Sequence, residues 1–236
     1  MKKFVFIFML LGIFTVQAYG VDSTTEINKN WHQWRGPVAN GFALSGSPPI
    51  EWSEVKNVKW KIEIPGKGHA SPIVWDDKIF ILTAVETDKV IEGSGKSDEE
   101  LPEWRRNEGN STNKVHKFVI FAVNRNDGSV IWEQTAREGI PHEGTHQEGS
   151  WASNSPITDG EHVYAYFGSQ GLYCYDMKGN LIWNKDFGDM QIKMSFGEGV
   201  SPALYGDTII INWDNEGQSF ITALDKNPCG LLIFDI

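Results

Sequence analysis

Cysteine is scarce in this chain of 236 residues, which holds two, Cys174 and Cys229. Two thiols cannot build a disulfide-stapled scaffold, and they do not form an adjacent pair. One bridge between them, or two unpaired thiols with Cys174 buried in a strand, are both open at this stage. Basic charge is also short: 21 Lys and Arg face 31 Asp and Glu, for a formal net charge of -10. That balance argues against nucleic acid or an anionic membrane as the main partner, since both require a basic footprint. Beyond the first sixteen residues no apolar run approaches the ~20 residues a membrane helix needs. The abundant residues are glycine, at 24, and tryptophan, at 10. Together they predict turn-rich β-structure and not helices.

The N-terminus reads MKKFVFIFMLLGIFTVQAYG. Lys2 and Lys3 precede an apolar core from Phe4 to Val16, and Ala18-Tyr19-Gly20 supplies small residues for cleavage. Residues 1–20 are expected to be a secretory signal peptide, cut after Ala18 or Gly20, which places the chain in the periplasm or outside the cell. No Cys follows the apolar core, so no lipid-attachment signal is visible.

Three segments begin alike, at Ser71-Pro72, Ser155-Pro156 and Ser201-Pro202. Each continues through a short Asp- or Gly-bearing turn into β-rich runs: IFILTAV from Ile79, VYAYFG from Val163 and TIIINW from Thr208. A second strand follows in each: FVIFAVN from Phe118, GLYCYD from Gly171 and FITALD from Phe220. Two units then close on G-x-x-x-W, at Gly128 to Trp132 and Gly179 to Trp183. Trp60 reads as the end of a still earlier unit without the Gly. Such a sheet cannot hide both faces alone, but stacked copies can. A closing Trp is large and rigid enough to bury its body between neighbours. A period of ~40–50 residues with four short strands is a β-propeller blade.

The combined pattern resembles the pyrroloquinoline-quinone-like (PQQ-like) β-propeller repeat, a family that includes the outer-membrane protein assembly factor and the quinoprotein alcohol dehydrogenases. WHQWRGPVANG from Trp31 to Gly41 and EGSWASNSPITDGEHVYAYFGSQGLYCYD resemble a secreted bacterial branch of it. The resemblance implies an all-β fold, a partial propeller of about three four-stranded blades in an open arc. Residues 21–50 are expected to pack onto the propeller as an N-terminal segment, and 51–226 to form it. The units are expected at about 60–132, 133–183 and 184–226, with Trp60, Trp132 and Trp183 as blade-closing residues. Residues 86–116 read as a charged insertion loop within the first unit. The third unit should close on a Trp but reads NPCGLLIFDI over 227–236, which is expected to be the aberrant tail of a truncated product.

Chemistry-bearing motifs are few. His142-Glu143-Gly144-Thr145-His146 spells the zinc-protease signature H-E-x-x-H. Zinc chemistry needs both His on one face of a helix. Here Pro141 precedes the stretch and Gly139, Gly144 and Gly149 interrupt it, each interior Gly costing a helix ~1 kcal/mol relative to Ala. The stretch is expected to be a loop between blades, with His142, Glu143, His146 and Glu148 as weak metal candidates and Trp151 and Asn154 as a candidate binding loop. A quinoprotein dehydrogenase is expected, by resemblance, to carry adjacent cysteines, a stacking Trp, calcium ligands and a catalytic Asp. No Cys-Cys pair is present, so no cofactor is assigned to this chain, and PQQ would belong to a full-length parent. The leading expectation is a non-catalytic exported module that binds a protein or peptide in the cell envelope. The alternatives are a fragment of a quinoprotein dehydrogenase and a metal-assisted hydrolase using the His142/His146 loop.

Overall fold

The computed structural model describes residues 23–92, 109–110, 113–192 and 196–226. The expected signal peptide and the tail 227–236 lie outside the described residues. A one-sheet unit repeats along the rest. The first sheet comprises β1 (Ile73–Trp75), β2 (Lys78–Val90), β4 (Lys114–Asn124) and β5 (Val130–Gly139), in that spatial order. The second comprises β7 (Ile157–Thr158), β8 (His162–Tyr166), β9 (Leu172–Asp176) and β10 (Leu181–Lys185). The third, as described, has β11 (Ala203–Tyr205), β12 (Thr208–Trp213) and β13 (Phe220–Asp225). All pairings are antiparallel between successive strands. The fold is therefore nearly all-β, with three sheets of three or four strands and no closed ring among the described residues. A short helix, α1 (Ser23–Lys29), precedes them.

Both faces of a middle sheet must be apolar for this stacking, and the period-2 pattern supplies it. Along β8, Val163 and Ala165 face the first sheet, where they join Phe80, Leu82, Phe118 and Ile120. Tyr164 and Tyr166 face the third, where they meet Ile209, Ile211 and Trp213. β9 divides the same way, with Tyr173 and Tyr175 toward one core and Leu172 and Cys174 toward the other. Cys174 is a free, buried thiol, and burial pushes its pKa up to about 12, so it behaves as a small hydrophobe.

The outer face of the first sheet is covered by Trp60, Ile62 and Ile64, which pack on Val119, Phe121 and Val123. Lys59, Lys61 and Glu63 between them are exposed, so this segment is patterned as a strand of a preceding blade.

Three tryptophans repeat one contact. The indole N–H of Trp60 donates to the Arg125 carbonyl at 2.9 Å, that of Trp132 to Met177 at 3.2 Å, and that of Trp183 to Lys226 at 3.1 Å. Each acceptor begins the third turn of the next sheet. The ring then lies against that turn's glycine: a Cβ on Gly128 would come within 2.8 Å of Trp60, and one on Gly179 within 2.7 Å of Trp132. Gly179 also has φ +87°, which L side chains rarely adopt. The closing Trp thus reaches forward onto the following blade.

A second repeat runs near the opposite edge. The Ser71 N–H donates to Ser155 Oγ and the Ser155 N–H to Ser201 Oγ, both at 2.9 Å. The Ser of each Ser-Pro pair is therefore an inter-sheet clasp, while the Pro immediately precedes or opens the first strand. The Pro's role is set by its own local backbone, while the Ser's depends on a partner in the neighbouring sheet. The N-terminal segment joins the same edge. Val74 N–H donates to the Trp31 carbonyl at 2.8 Å and Thr158 N–H to the His32 carbonyl at 3.0 Å, so residues 31–32 bridge the first two sheets.

Two outcomes follow for unfolding in urea. Trp132→Ala should lower stability by about 3 kcal/mol, the low end for a large aromatic because Trp132 is only half-buried. Gly179→Ala should cost about 1–2 kcal/mol more than Gly188→Ala, because both glycines have positive φ but only Gly179 has a ring against it.

Candidate functional site

Antiparallel alternation sorts the connections between two ends. The Trp contacts and the turns at 125–129 and 177–180 occupy one end. The inter-sheet connections at 140–156 and 186–202, the turn at 167–171 and the mouth of the long β2–β4 hairpin occupy the other. The insertion expected at 86–116 lends its ends to that hairpin: β2 continues to Val90 and β4 begins at Lys114. Part of it reaches further. β3 (Gly109–Asn110) pairs with β6 (Thr145–His146), in the middle of the H-E-x-x-H stretch.

That stretch is a loop with a two-residue strand, so its histidines are not held at helical spacing. His142 Nε2 bonds the Met190 carbonyl at 2.6 Å, and its Nδ1 lies 3.8 Å from Asp189. His146 Nδ1 accepts from the Glu148 N–H at 3.2 Å, and its ring lies against Phe196. Glu143 Oε2 accepts the Ile192 N–H at 2.9 Å, while the Glu143 carbonyl accepts the Trp151 indole N–H at 2.9 Å. His142, Glu143 and His146 are thus committed to joining the 141–151 loop to residues 189–192 and 196 or to itself. Among the described residues no group of three or more His, Cys, Asp and Glu is placed to hold a metal ion.

The two loops and the 167–171 turn enclose a small cleft of about 20 Å³, lined by His142, Glu143, Trp151, Asn154, Gln170 and Glu198 among others. Trp151 and Asn154, the candidate binding loop, lie on its wall together with two of the four metal candidates. His146 and Glu148 are not on that wall. Trp151 is further set by an edge contact to His116, centroids 4.6 Å apart. Burial depresses the His116 pKa, partly countered by its bond to the Lys114 carbonyl.

Glu198 was not legible as a site residue. Its carboxylate accepts the Ser169 N–H at 2.7 Å and the Ser169 hydroxyl at 2.5 Å. The Ser169 hydroxyl in turn accepts the Met190 N–H at 2.8 Å. Gly168, at φ +58°, lies so close under Glu198 Oε2 that a Cβ there would collide with it. Desolvation raises the Glu198 pKa above the usual carboxylate value, against the lowering effect of the two Ser169 bonds and His142, with Glu143 adding to the rise. The signal available in the sequence was the Gly-Ser at 168–169 opposite Gly-Glu-Gly at 197–199, which no local motif connects.

Residues 116–227, a little under half of the chain, match the family model described as outer membrane protein assembly factor BamB. That stretch carries PQQ-like propeller repeats. BamB from Moraxella catarrhalis aligns at 14% identity with a TM-score of 0.41, over 71% of this chain and 40% of its own. A quinohemoprotein alcohol dehydrogenase from Pseudomonas putida aligns at 17% identity with a TM-score of 0.47, over 87% of this chain and 26% of its own. One from Comamonas testosteroni aligns at 13% with a TM-score of 0.38, over 68% and 20%. The chain spans less than half the length of each. No curated protein matches it. No helix among the described residues is long and apolar enough to cross a membrane.

A raised folded pKa means that the buried acid favours folding most when protonated. Its contribution is complete below the unfolded value near 4.5 and is lost as pH rises through the folded value. Glu198→Gln should therefore flatten the stability profile above about pH 4.5, leaving the variant relatively more stable toward neutral pH. Urea midpoints taken from pH 4 to pH 8 check this.

Proposed function

We propose that this protein is a non-catalytic exported β-propeller module that binds an extended protein or peptide in the cell envelope. The observation that carries the reading is the sorting of the two ends. One end is spent on sheet-to-sheet packing through Trp60, Trp132 and Trp183. The other gathers loops from separate sheets, and loops on a rigid scaffold are where recognition concentrates. The family description of the 116–227 match, an assembly factor, supports a partner-binding role. The expected signal peptide supports the envelope location.

The loop end carries Glu143, Glu148, Asp186, Asp189 and Glu198, on a chain whose net charge is -10. Of the basic residues near it, Lys89, Lys114 and Arg137 are paired with Glu138, Glu86 and Asp186. A partner presenting Lys or Arg gains both approach rate and orientation from such a surface. Exposed apolar side chains add contact area: Phe196 at this end, and Phe42, Ile50, Trp52 and Val55 along the N-terminal segment.

Fluorescence polarisation with lysine-rich and glutamate-rich extended peptides tests the reading. The lysine-rich peptide should bind in preference, and Glu148→Gln with Asp189→Asn should weaken it by about fivefold and flatten its salt dependence. Both residues are exposed at the rim, so folding should be unaffected. Stoichiometric uptake of pyrroloquinoline quinone with calcium, together with alcohol-dependent dye reduction, would overturn the scaffold reading in favour of a dehydrogenase fragment.

A further inference from the structure

Three buried polar atoms near Glu198 have no hydrogen-bond partner among the described residues. They are Asn154 Nδ2, Thr145 Oγ1 and Tyr166 Oη. Asn154 is 2% exposed and lines the cleft. Thr145 is 1% exposed, and its hydroxyl lies 2.6 Å from where a Cβ on Gly197 would stand, beside Glu198. Tyr166 is fully buried, and its phenol is held protonated by burial and by the nearby Glu198 charge. Leaving a buried donor or acceptor unpaired costs about 1–3 kcal/mol each, so such groups call for a water, an ion or a ligand group beside them. Five buried side-chain atoms are unpaired among the described residues, and of these Asn154 Nδ2 belongs to the cleft lining, with Thr145 beside its Gly197 wall.

The chemistry of the lining selects the partner. A cation would answer the carboxylates of Glu143 and Glu198, but it would set a second donor against the Asn154 amide. An anion would accept from Asn154 but would meet both carboxylates. A hydroxyl group does both jobs, accepting from the amide and donating to a carboxylate. Its size also fits, because about 20 Å³ admits roughly one water-sized group. Trp151 and Ile192 at the wall give the carbon skeleton behind that hydroxyl an apolar surface.

We propose that the cleft lined by the 141–154 loop and by Ile192, Gly197 and Glu198 is a binding site for a neutral, hydroxyl-bearing ligand, whose hydroxyl inserts between Asn154 and Glu198. In the unliganded protein one water takes the same position, and the ligand hydroxyl replaces it while reproducing its hydrogen bonds. Glu143 and Glu198 belong both to the cleft and to the acidic loop end, but Glu148 and Asp189, the residues that test the charge-based surface, do not line the cleft.

Tryptophan fluorescence of the full chain, titrated separately with sorbitol, a hexose, N-acetylserine amide, n-butylammonium and acetate, tests the proposal. Saturation by sorbitol or the hexose below about 10 mM supports it and assigns a polyol or sugar as the source of the hydroxyl. Saturation by N-acetylserine amide alone supports it and assigns a peptide side chain. Saturation by butylammonium or acetate in preference, or by none of the five, overturns it. Asn154→Ala should weaken the bound probe about tenfold, as expected for one buried hydrogen bond. If that variant loses its cooperative melt, Asn154→Asp keeps the shape while removing the donor, and it should weaken binding equally. Unchanged affinity in the folded variant overturns the placement.

Discussion

The hydrogen bond from each closing tryptophan to the following blade is the constraint on which the remaining architecture rests. A four-stranded antiparallel sheet has two faces and two edges to satisfy, and stacking by itself leaves the relative position of neighbours loose. The indole settles it, because it is bonded at one point and flat against a glycine at another. The N–H to a turn carbonyl fixes height, and the ring on Gly128 or Gly179 fixes distance. Substituting the glycine and truncating the tryptophan attack the same contact from opposite sides. The Ser155 and Ser201 hydroxyls fasten the neighbouring sheets at a second place, far from the first in each repeat. Two such points per interface set orientation as well as spacing, which leaves the loops at the other end free to diverge in length.

The first connection shows what that freedom allows. β2 and β4 run well past their counterparts in the second sheet, and Gly109–Asn110 crosses to pair with Thr145–His146. The inter-sheet loop is then held from above by the insertion and from the side by Ile192 and Met190. Backbone groups that a long loop would leave to solvent find partners in another loop instead. The cleft is a product of this cross-bracing, since its walls come from three separate connections.

How much of this was legible follows from the range of each interaction. The strands, turns and closing tryptophans are written in local pattern: Val163 to Tyr166 alternates between two cores, and G-x-x-x-W recurs at Gly128 and Gly179. Repetition made them visible, since the same local solution occurs several times. The Ser clasp repeats equally well, but its partner lies 46 or 84 residues away, so the Ser-Pro start was read through its proline alone. Glu198 does not repeat. Its meaning comes from Ser169 and Gly168 across the sheet, and nothing in Gly197-Glu198-Gly199 discloses that distant pair. Trp151 and Asn154, expected from the sequence as a candidate binding loop, line the cleft together with Glu198 from a separate connection.

The H-E-x-x-H letters illustrate the same distinction from the other direction. A motif carries chemistry only when its backbone presents the side chains together, and here the backbone parts them. His142 goes to Met190, Glu143 to Ile192, and His146 to its own loop beside Phe196. The stretch is a brace between the second and third sheets' approaches, and that gives the cleft a thermodynamic property. Any ligand seated between Asn154 and Glu198 touches loops that also hold neighbouring sheets in place. Its binding energy is then added to blade stacking, because a ligand that binds only the folded form raises stability by mass action. The same logic ties the Gly168 backbone, the Ser169 hydroxyl and the Met190 amide to both tasks. At the proposed site the lining loops also brace neighbouring sheets, so occupancy there would raise stability.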